Sequence, residues 1–286
     1  MEILATGLHV PEGPAVRDDG SVLFTEQTAG RVSVLGADGV EEFAYVGGAP
    51  NSCAVGASGE VYVCQNGGVV GAWRSADLRT PSIQVVTADG VHTLSTSNRG
   101  RDLIAPNDLA FHPNGRLYFT DPAQPFDPDH REPRRAIYAL GADAEELVID
   151  VGGVYCNGVG FGARGELIWV ESYTRRVMTL TEDNRARELC RLPAGEIPDG
   201  FAVAEDGRIF IASCGSHGIS VVSPDGDYLG LMRLDDTANP TNCCFLGDDL
   251  VVTDFGTDFE RNPTAGRLWR VPVGVRGARV TLGSIS

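Results

Sequence analysis

Apolar and polar residues alternate along most of this chain in short runs, and no stretch of convincing length keeps a helical period. The clearest run is Asn107 to Asp121: a polar residue, a strand (Leu109 to Phe111), the pair Asn114-Gly115, a second strand (Leu117 to Thr120) and a carboxylate. Asn-Gly between two β-rich runs predicts a hairpin with a type I′ turn, which needs positive φ at both central residues. The same spacing recurs. With Asn107 as position zero, Gly115 falls at +8 and Asp121 at +14. Glu12, Asn51, Asn157 and Asp199 repeat the pattern with Gly20 and Glu26, Gly59 and Gln65, Gly165 and Glu171, and Gly207 and Ser213. A sixth copy starts at Asn242 and is two residues shorter, so Asp254 falls at +12.

The zero positions lie 39, 56, 50, 42 and 43 residues apart, a period that marks propeller blades built from short strands. Each unit offers two further strands, such as Arg31 to Leu35 with Val40 to Phe43, or Arg267 to Val271 with Ala278 to Leu282. The expected fold class is all-β: one six-bladed β-propeller over residues 1–286, with four-stranded blades around a central channel. A lone blade cannot bury both faces, so the blades must stack in a ring. One flank, residues 1–10 or 272–286, is expected to close that ring with an outer strand. The Pro- and charge-rich insertion Pro122 to Arg135, directly after Asp121, is a candidate lid.

Composition then removes whole classes of function. A formal charge of -16 argues against binding a phosphate backbone, so no nucleic-acid partner is expected. All 23 basic residues are Arg, which eliminates lysine nucleophiles and Schiff bases. The seven cysteines lack CxxC or Cys/His spacing and suit a reduced, cytoplasmic protein. No run has signal-peptide character or transmembrane length, so no membrane role is expected either. There is no GxSxG elbow for a serine triad. Cys156 and Cys243 have no histidine at a matching position to activate them, and of the five histidines only His217 falls in a loop near the expected channel mouth. A small-molecule substrate is the remaining partner.

In a propeller the residues just before the inner strands crowd around one mouth of the channel. Here they are Glu12, Asn51, Asn107, Asn157, Asp199 and Asn242. Two carboxylates and four amides, with no imidazole or thiolate, form the ligand set of a hard cation. Calcium fits best. Magnesium, manganese and zinc are the other divalent candidates, but magnesium wants a stricter octahedron and zinc would recruit His or Cys. Of the +14 residues, Glu26, Asp121, Glu171 and Asp254 either touch substrate or hold loop backbone.

These residues resemble a family, that of senescence marker protein 30, gluconolactonase and luciferin-regenerating enzyme. The matching motifs are Pro11-Glu12-Gly13-Pro14, Pro106-Asn107-Asp108-Leu109 with Tyr118-Phe119-Thr120-Asp121-Pro122, Asn157-Gly158-Val159, and Pro198-Asp199-Gly200. The resemblance implies a metal-dependent hydrolase, most simply a lactonase, in which Glu12, Asn157 and Asp199 bind one divalent ion. It makes Asn107 a further ligand or a substrate contact, and Asp199 the general base. Asn51, Asn107 and Asp121 would then orient the substrate. Lactonases of the family carry an Arg two residues before the Asn of the Pro-Asn-Asp motif; here that position is Ala105, which leaves Arg99 or Arg101 as its replacement. The competing expectations are hydrolysis of another electrophile, an organophosphate or epoxide, and a non-catalytic scaffold pinned by a structural metal.

Overall fold

The computed structural model describes residues 1–122, 126–133, 135–142, 144–181, 183–259 and 261–285. Six four-stranded antiparallel sheets follow one another around a ring. Their inner strands are Pro11–Val16, Pro50–Val55, Leu109–Phe111, Cys156–Phe161, Ile197–Val203 and Pro240–Leu246. The second strands, including Val22–Glu26 and Leu117–Asp121, are almost wholly buried, because a middle strand is covered by the neighbouring blade on each face. Apolar clusters accordingly span adjacent blades; Tyr62 and Ile83 of blade two pack with Leu109, Phe119 and Tyr138 of blade three.

The ring is closed by the N-terminus. Glu2–Leu8 pairs antiparallel with Gly266–Pro272 as the outer strand of blade six. Leu8 shares a core cluster with Phe24, Val251 and Leu268, joining blades one and six. The expected outer strand at Ala278 to Leu282 is therefore not one. That segment runs across the far end of the channel instead, held by an Ala278 N–H to Val203 O hydrogen bond and by the bridge of Gly56 to Gly283. Outer strands need only one apolar face, so two flanks of similar composition could not be told apart from their sequence.

The hairpin turn also differs from expectation. Gly115 has φ +83°, but Asn114 does not take positive φ. The Gly115 N–H bonds to His112 O, and the His112 N–H to Arg116 O, so a turn closed by one left-handed residue replaces the type I′ pair. Gly20, Gly59, Gly165 and Gly207 do the same at φ between +82° and +89°, which is why the +8 position is Gly in the five copies of full length.

Candidate metal and substrate site

Five of the six zero positions, all but Asn107, stand at a defect in their sheet. Between Glu12 and Ala15, Pro50 and Cys53, Cys156 and Val159, Pro198 and Phe201, and Pro240 and Asn242, the inner strand carries one extra residue relative to its partner. Such bulges re-aim a side chain that regular pairing would direct elsewhere. Hydroxyls fix four of them from the adjacent blade: Thr25 Oγ1 donates to Asn51 O, Thr120 Oγ1 to Asn157 O, Ser172 Oγ to Pro198 O and Thr241 Oγ1 to Pro11 O.

The residue after the zero position is Gly in three blades for steric reasons. A Cβ on Gly13 would lie 2.3 Å from the Ser52 Cα, one on Gly158 2.5 Å from Asp199 O, and one on Gly200 1.9 Å from the Asn242 Cγ. Neighbouring inner strands thus converge too closely for a side chain. In blades two and three the same position holds Ser52 and Asp108, which bond to each other at 2.7 Å.

The result is a cluster of buried carboxylates and amides. Asn242 Nδ2 lies 3.3 Å from Glu12 Oε2, while its Oδ1 is taken by the Cys243 N–H. Burial first, then the charges of Asp199 and Asp108, push the Glu12 carboxyl well above the usual range. Burial likewise lifts Asp199 to about 7, opposed by a hydrogen bond from the Cys214 thiol at 3.0 Å and one from Asn157. Asp108, which accepts from Ser52 Oγ and Val159 N–H, is also raised by burial. Asp108 was not among the expected site residues; the signal was there, since it is the one carboxylate where three other blades have Gly. Cys214, too, was missed. Its thiol is pushed well above its usual value by burial and by Asp199, so it acts as a donor and not a nucleophile.

Two amides remain uncommitted and a third keeps its oxygen free. Asn157 Nδ2 bonds Ser172 Oγ, but its buried Oδ1 has no partner among the described residues. Asn51 and Asn107, about one-twentieth exposed, make no side-chain hydrogen bond among them either. An orphaned carbonyl beside two carboxylates that resist ionising together is what a hard cation would repair. No three Asp, Glu, His or Cys groups among the described residues are grouped to hold a metal by themselves, so such an ion would need the amide oxygens. The residues fit a calcium-type ion on these grounds.

Other expected residues lie elsewhere. Asp121, raised to about 6 by burial, spends both oxygens on the Ile104 and Ala105 N–H groups, so it holds loop backbone. Glu26, Gln65 and Asp254 do likewise for His9, Ala49 and Asn239. Arg99 is exposed at the tip of the Ser97–Asn98 and Arg101–Asp102 hairpin, its N–H on Glu145, and stands apart from the cluster. Cys156 and Cys243 are buried core thiols, the latter pushed up to about 12 by burial. Of the candidate lid, Ala123 to Pro125 and Arg134 lie outside the described residues; Phe126 packs on Tyr155 and Tyr173 of blade four. His217 donates from Nδ1 to Ala238 O at 2.6 Å and lines a separate 370 Å³ hollow with Asn239, Asp258 and Phe259. Below the cluster, a 480 Å³ channel walled by Phe111, Phe161 and Phe245 ends at the C-terminal segment.

A six-bladed ring with carboxylates and amides gathered at one end of its channel defines the class of the molecule. The chain belongs to the SMP-30/Gluconolactonase/LRE-like family, whose model matches residues 10–254. It is 26% identical to a gluconolactonase of Zymomonas mobilis over 86% of this chain and 75% of that one. It is also 26% identical to the diisopropyl-fluorophosphatase of Loligo vulgaris, over 65% of each chain, a little under two thirds of that protein. Both relatives are hydrolases. Regucalcin of Agrobacterium tumefaciens, a calcium-binding protein, shares the fold with a TM-score of 0.78 at 16% identity, over 99% of this chain and 97% of its own. No helix among the described residues is long and apolar enough to cross a membrane.

Proposed function

We propose that this chain is a divalent-cation-dependent lactonase, with calcium the cation its residues suit best. The observation that carries the reading is the convergence of Glu12, Asp199 and the orphaned Asn157 carbonyl where the channel opens. The kinship with a gluconolactonase supports the substrate class, and the seven free thiols suit a reducing, cytoplasmic setting. When bound, the cation supplies Lewis-acid polarisation of an ester carbonyl and lowers the cost of the oxyanion. Glu12, Asn157 and Asp199 would hold it, with Asn107 as a further oxygen ligand or substrate contact.

Asp199 is the general base. Its second oxygen is tethered by the Cys214 thiol, which fixes the carboxylate while leaving the other oxygen to take a proton from water. A carboxylate fixed in this way is placed for general-base work. Asn51 and Asn107, with unspent amides, orient the ring and its exocyclic oxygen. Tyr155 and Phe126 give the approach an aromatic wall.

A phosphorus ester is the second reading, favoured by the kinship with the fluorophosphatase. The test is a panel of lactones and phosphotriesters assayed before and after chelation. Calcium-dependent ring opening, with Asp199→Asn losing more in kcat than in KM, is expected. Full lactone turnover by chelated protein would refute the mechanism, and turnover confined to phosphotriesters would replace the substrate.

A further inference from the structure

Among the described residues, six other than glycine hold left-handed backbone: Val10, Arg99, Arg175, Asn184, His217 and Asp258. Three of them meet at one place. His217 and Asp258 line the 370 Å³ hollow between blades five and six, and Val10 belongs to the apolar cluster that supports Phe259 in its wall. Such backbone is uncommon outside glycine, and in a β-branched residue such as Val10 it is a true outlier. Strain of this kind persists only where the surroundings hold it, and it gathers at sites that bind ligands.

The hollow opens on the same face as the cluster, because the second strands of blades five and six end there, at Cys214 and Asp254, level with the starts of the inner strands. Hydrogen bonds join the two places. Cys214 Sγ donates to Asp199 Oδ2 at 3.0 Å and lies 3.1 Å from Pro240 O. The next residue, Gly215, donates its N–H to Asn239 Oδ1, and both residues line the hollow. Gly215 is exposed and Cys214 only half-buried. A thiol and one peptide unit thus separate the hollow from the base.

The unspent chemistry in it is of one kind. His217 turns Nδ1 to Ala238 O; a carbonyl only accepts, so Nδ1 carries the proton and Nε2 of the neutral ring is an acceptor, without a partner among the described residues. Asp258 adds a carboxylate whose ion pair with the exposed Arg261 is 3.7 Å long. Asn239 spends Oδ1 on Gly215 and keeps its Nδ2 donors. Phe259 supplies a flat apolar wall, braced by Phe255 at 5.0 Å between ring centroids. Acceptors, an amide donor and a ring face in a space of this size suit a neutral polyhydroxylated ring. An anion would meet the Asp258 carboxylate and no arginine in the lining.

We propose that this hollow is a glycosyl subsite, and that the lactone the chain opens is an aldonolactone carrying a second sugar on its ring. The inference rests on the lactonase reading and adds the substrate's length. With the lactone beside Asp199, the second ring passes over Cys214 and Gly215 into the hollow. There its hydroxyls meet His217 Nε2, the Asp258 carboxylate and Asn239 Nδ2, and its apolar face lies on Phe259.

The probes are gluconolactone and its β- and α-glucosyl derivatives, cellobionolactone and maltobionolactone, with calcium-loaded protein. One of the glucosyl lactones should be preferred in kcat/KM by about tenfold or more, the worth of one or two net hydrogen bonds. His217→Gly removes the imidazole and is at ease in left-handed backbone, so it should fold and erase the preference through KM. Phe259→Ala should reduce it. Equal turnover of all three lactones by the unaltered protein, or a preference that survives His217→Gly, overturns the proposal. Calorimetric titration with cellobiose and maltose, which have no lactone to open, reads the hollow without turnover. Binding of the sugar whose lactone is preferred should weaken about tenfold in His217→Gly. Disaccharide binding that depends on His217, with no lactone hydrolysed, would sink the lactonase reading and leave the subsite standing. Equal hydrolysis of the three lactones with no disaccharide bound would do the reverse. If His217→Gly does not fold, the comparison on the unaltered protein still decides.

Discussion

Gly200→Ala isolates what the glycine of the Pro-Asp-Gly motif does. The new methyl would lie 1.9 Å from Cγ, 2.1 Å from Oδ1 and 2.3 Å from Nδ2 of Asn242, a side chain too short to swing aside without losing its contacts. Those contacts are Nδ2 to Glu12 Oε2 and Oδ1 to the Cys243 N–H. Overpacking a closed site costs about 1–3 kcal/mol, and breaking a hydrogen bond to a buried carboxylate adds about 1.5–3 kcal/mol. The sum is about 2.5–6 kcal/mol. For a chain of this length each kcal/mol lowers Tm by about 2 °C, so a fall of about 5–12 °C is expected. Gly36→Ala is the control, because a Cβ there meets nothing within 4 Å and the backbone is not left-handed; it should be neutral or stabilising by about 0.4–1 kcal/mol. Denaturant unfolding at calcium saturation compares the two. If Gly200→Ala is as stable as Gly36→Ala, the inner strands are not packed to the limit at this point, and the steric account of the motif is wrong.

Two further outcomes follow from the same cluster. Asp199 titrates near 7 in the folded chain against an ordinary 3.8, so its protonated form favours folding. That contribution is whole below about pH 4 and is lost as pH rises to about 7, at a full cost of about 4 kcal/mol. Glu12 acts in the same direction. Chelated protein should therefore lose stability from pH 4 to 7 in urea titrations, calcium should flatten the profile, and a flat profile without calcium would refute the assignment. Thr120→Val removes the hydroxyl that holds the Asn157 backbone carbonyl and should cost about 1–2 kcal/mol, read by thermal unfolding; no loss would mean the bulges do not need their staples.

Much of this architecture was legible because it is repeated. The +8 glycines and the second strands recur with the blade, and a ruler laid on Asn107 finds five others. The zero positions were legible for the same reason, as one residue per blade in one register. What escaped depends on single departures from the repeat. Asp108 replaces a glycine, and Cys214 donates sideways to Asp199. A pattern averaged over blades hides such differences, and they are where the blades do different chemistry. The closing strand was undecidable for another reason: Glu2–Leu8 and Ala278 to Leu282 are both short and half apolar, and only the packing of Leu8 against Phe24, Val251 and Leu268 separates them.

The seal between Glu2–Leu8 and Gly266–Pro272 has a consequence for biogenesis. Glu2–Leu8 is synthesised long before the strand it pairs with, so it travels through synthesis as an open edge able to recruit any other nascent strand. Folding of the sixth blade must therefore wait for Gly266–Pro272, and products shorter than that should be the form in which this protein is most exposed to aggregation and chaperone capture.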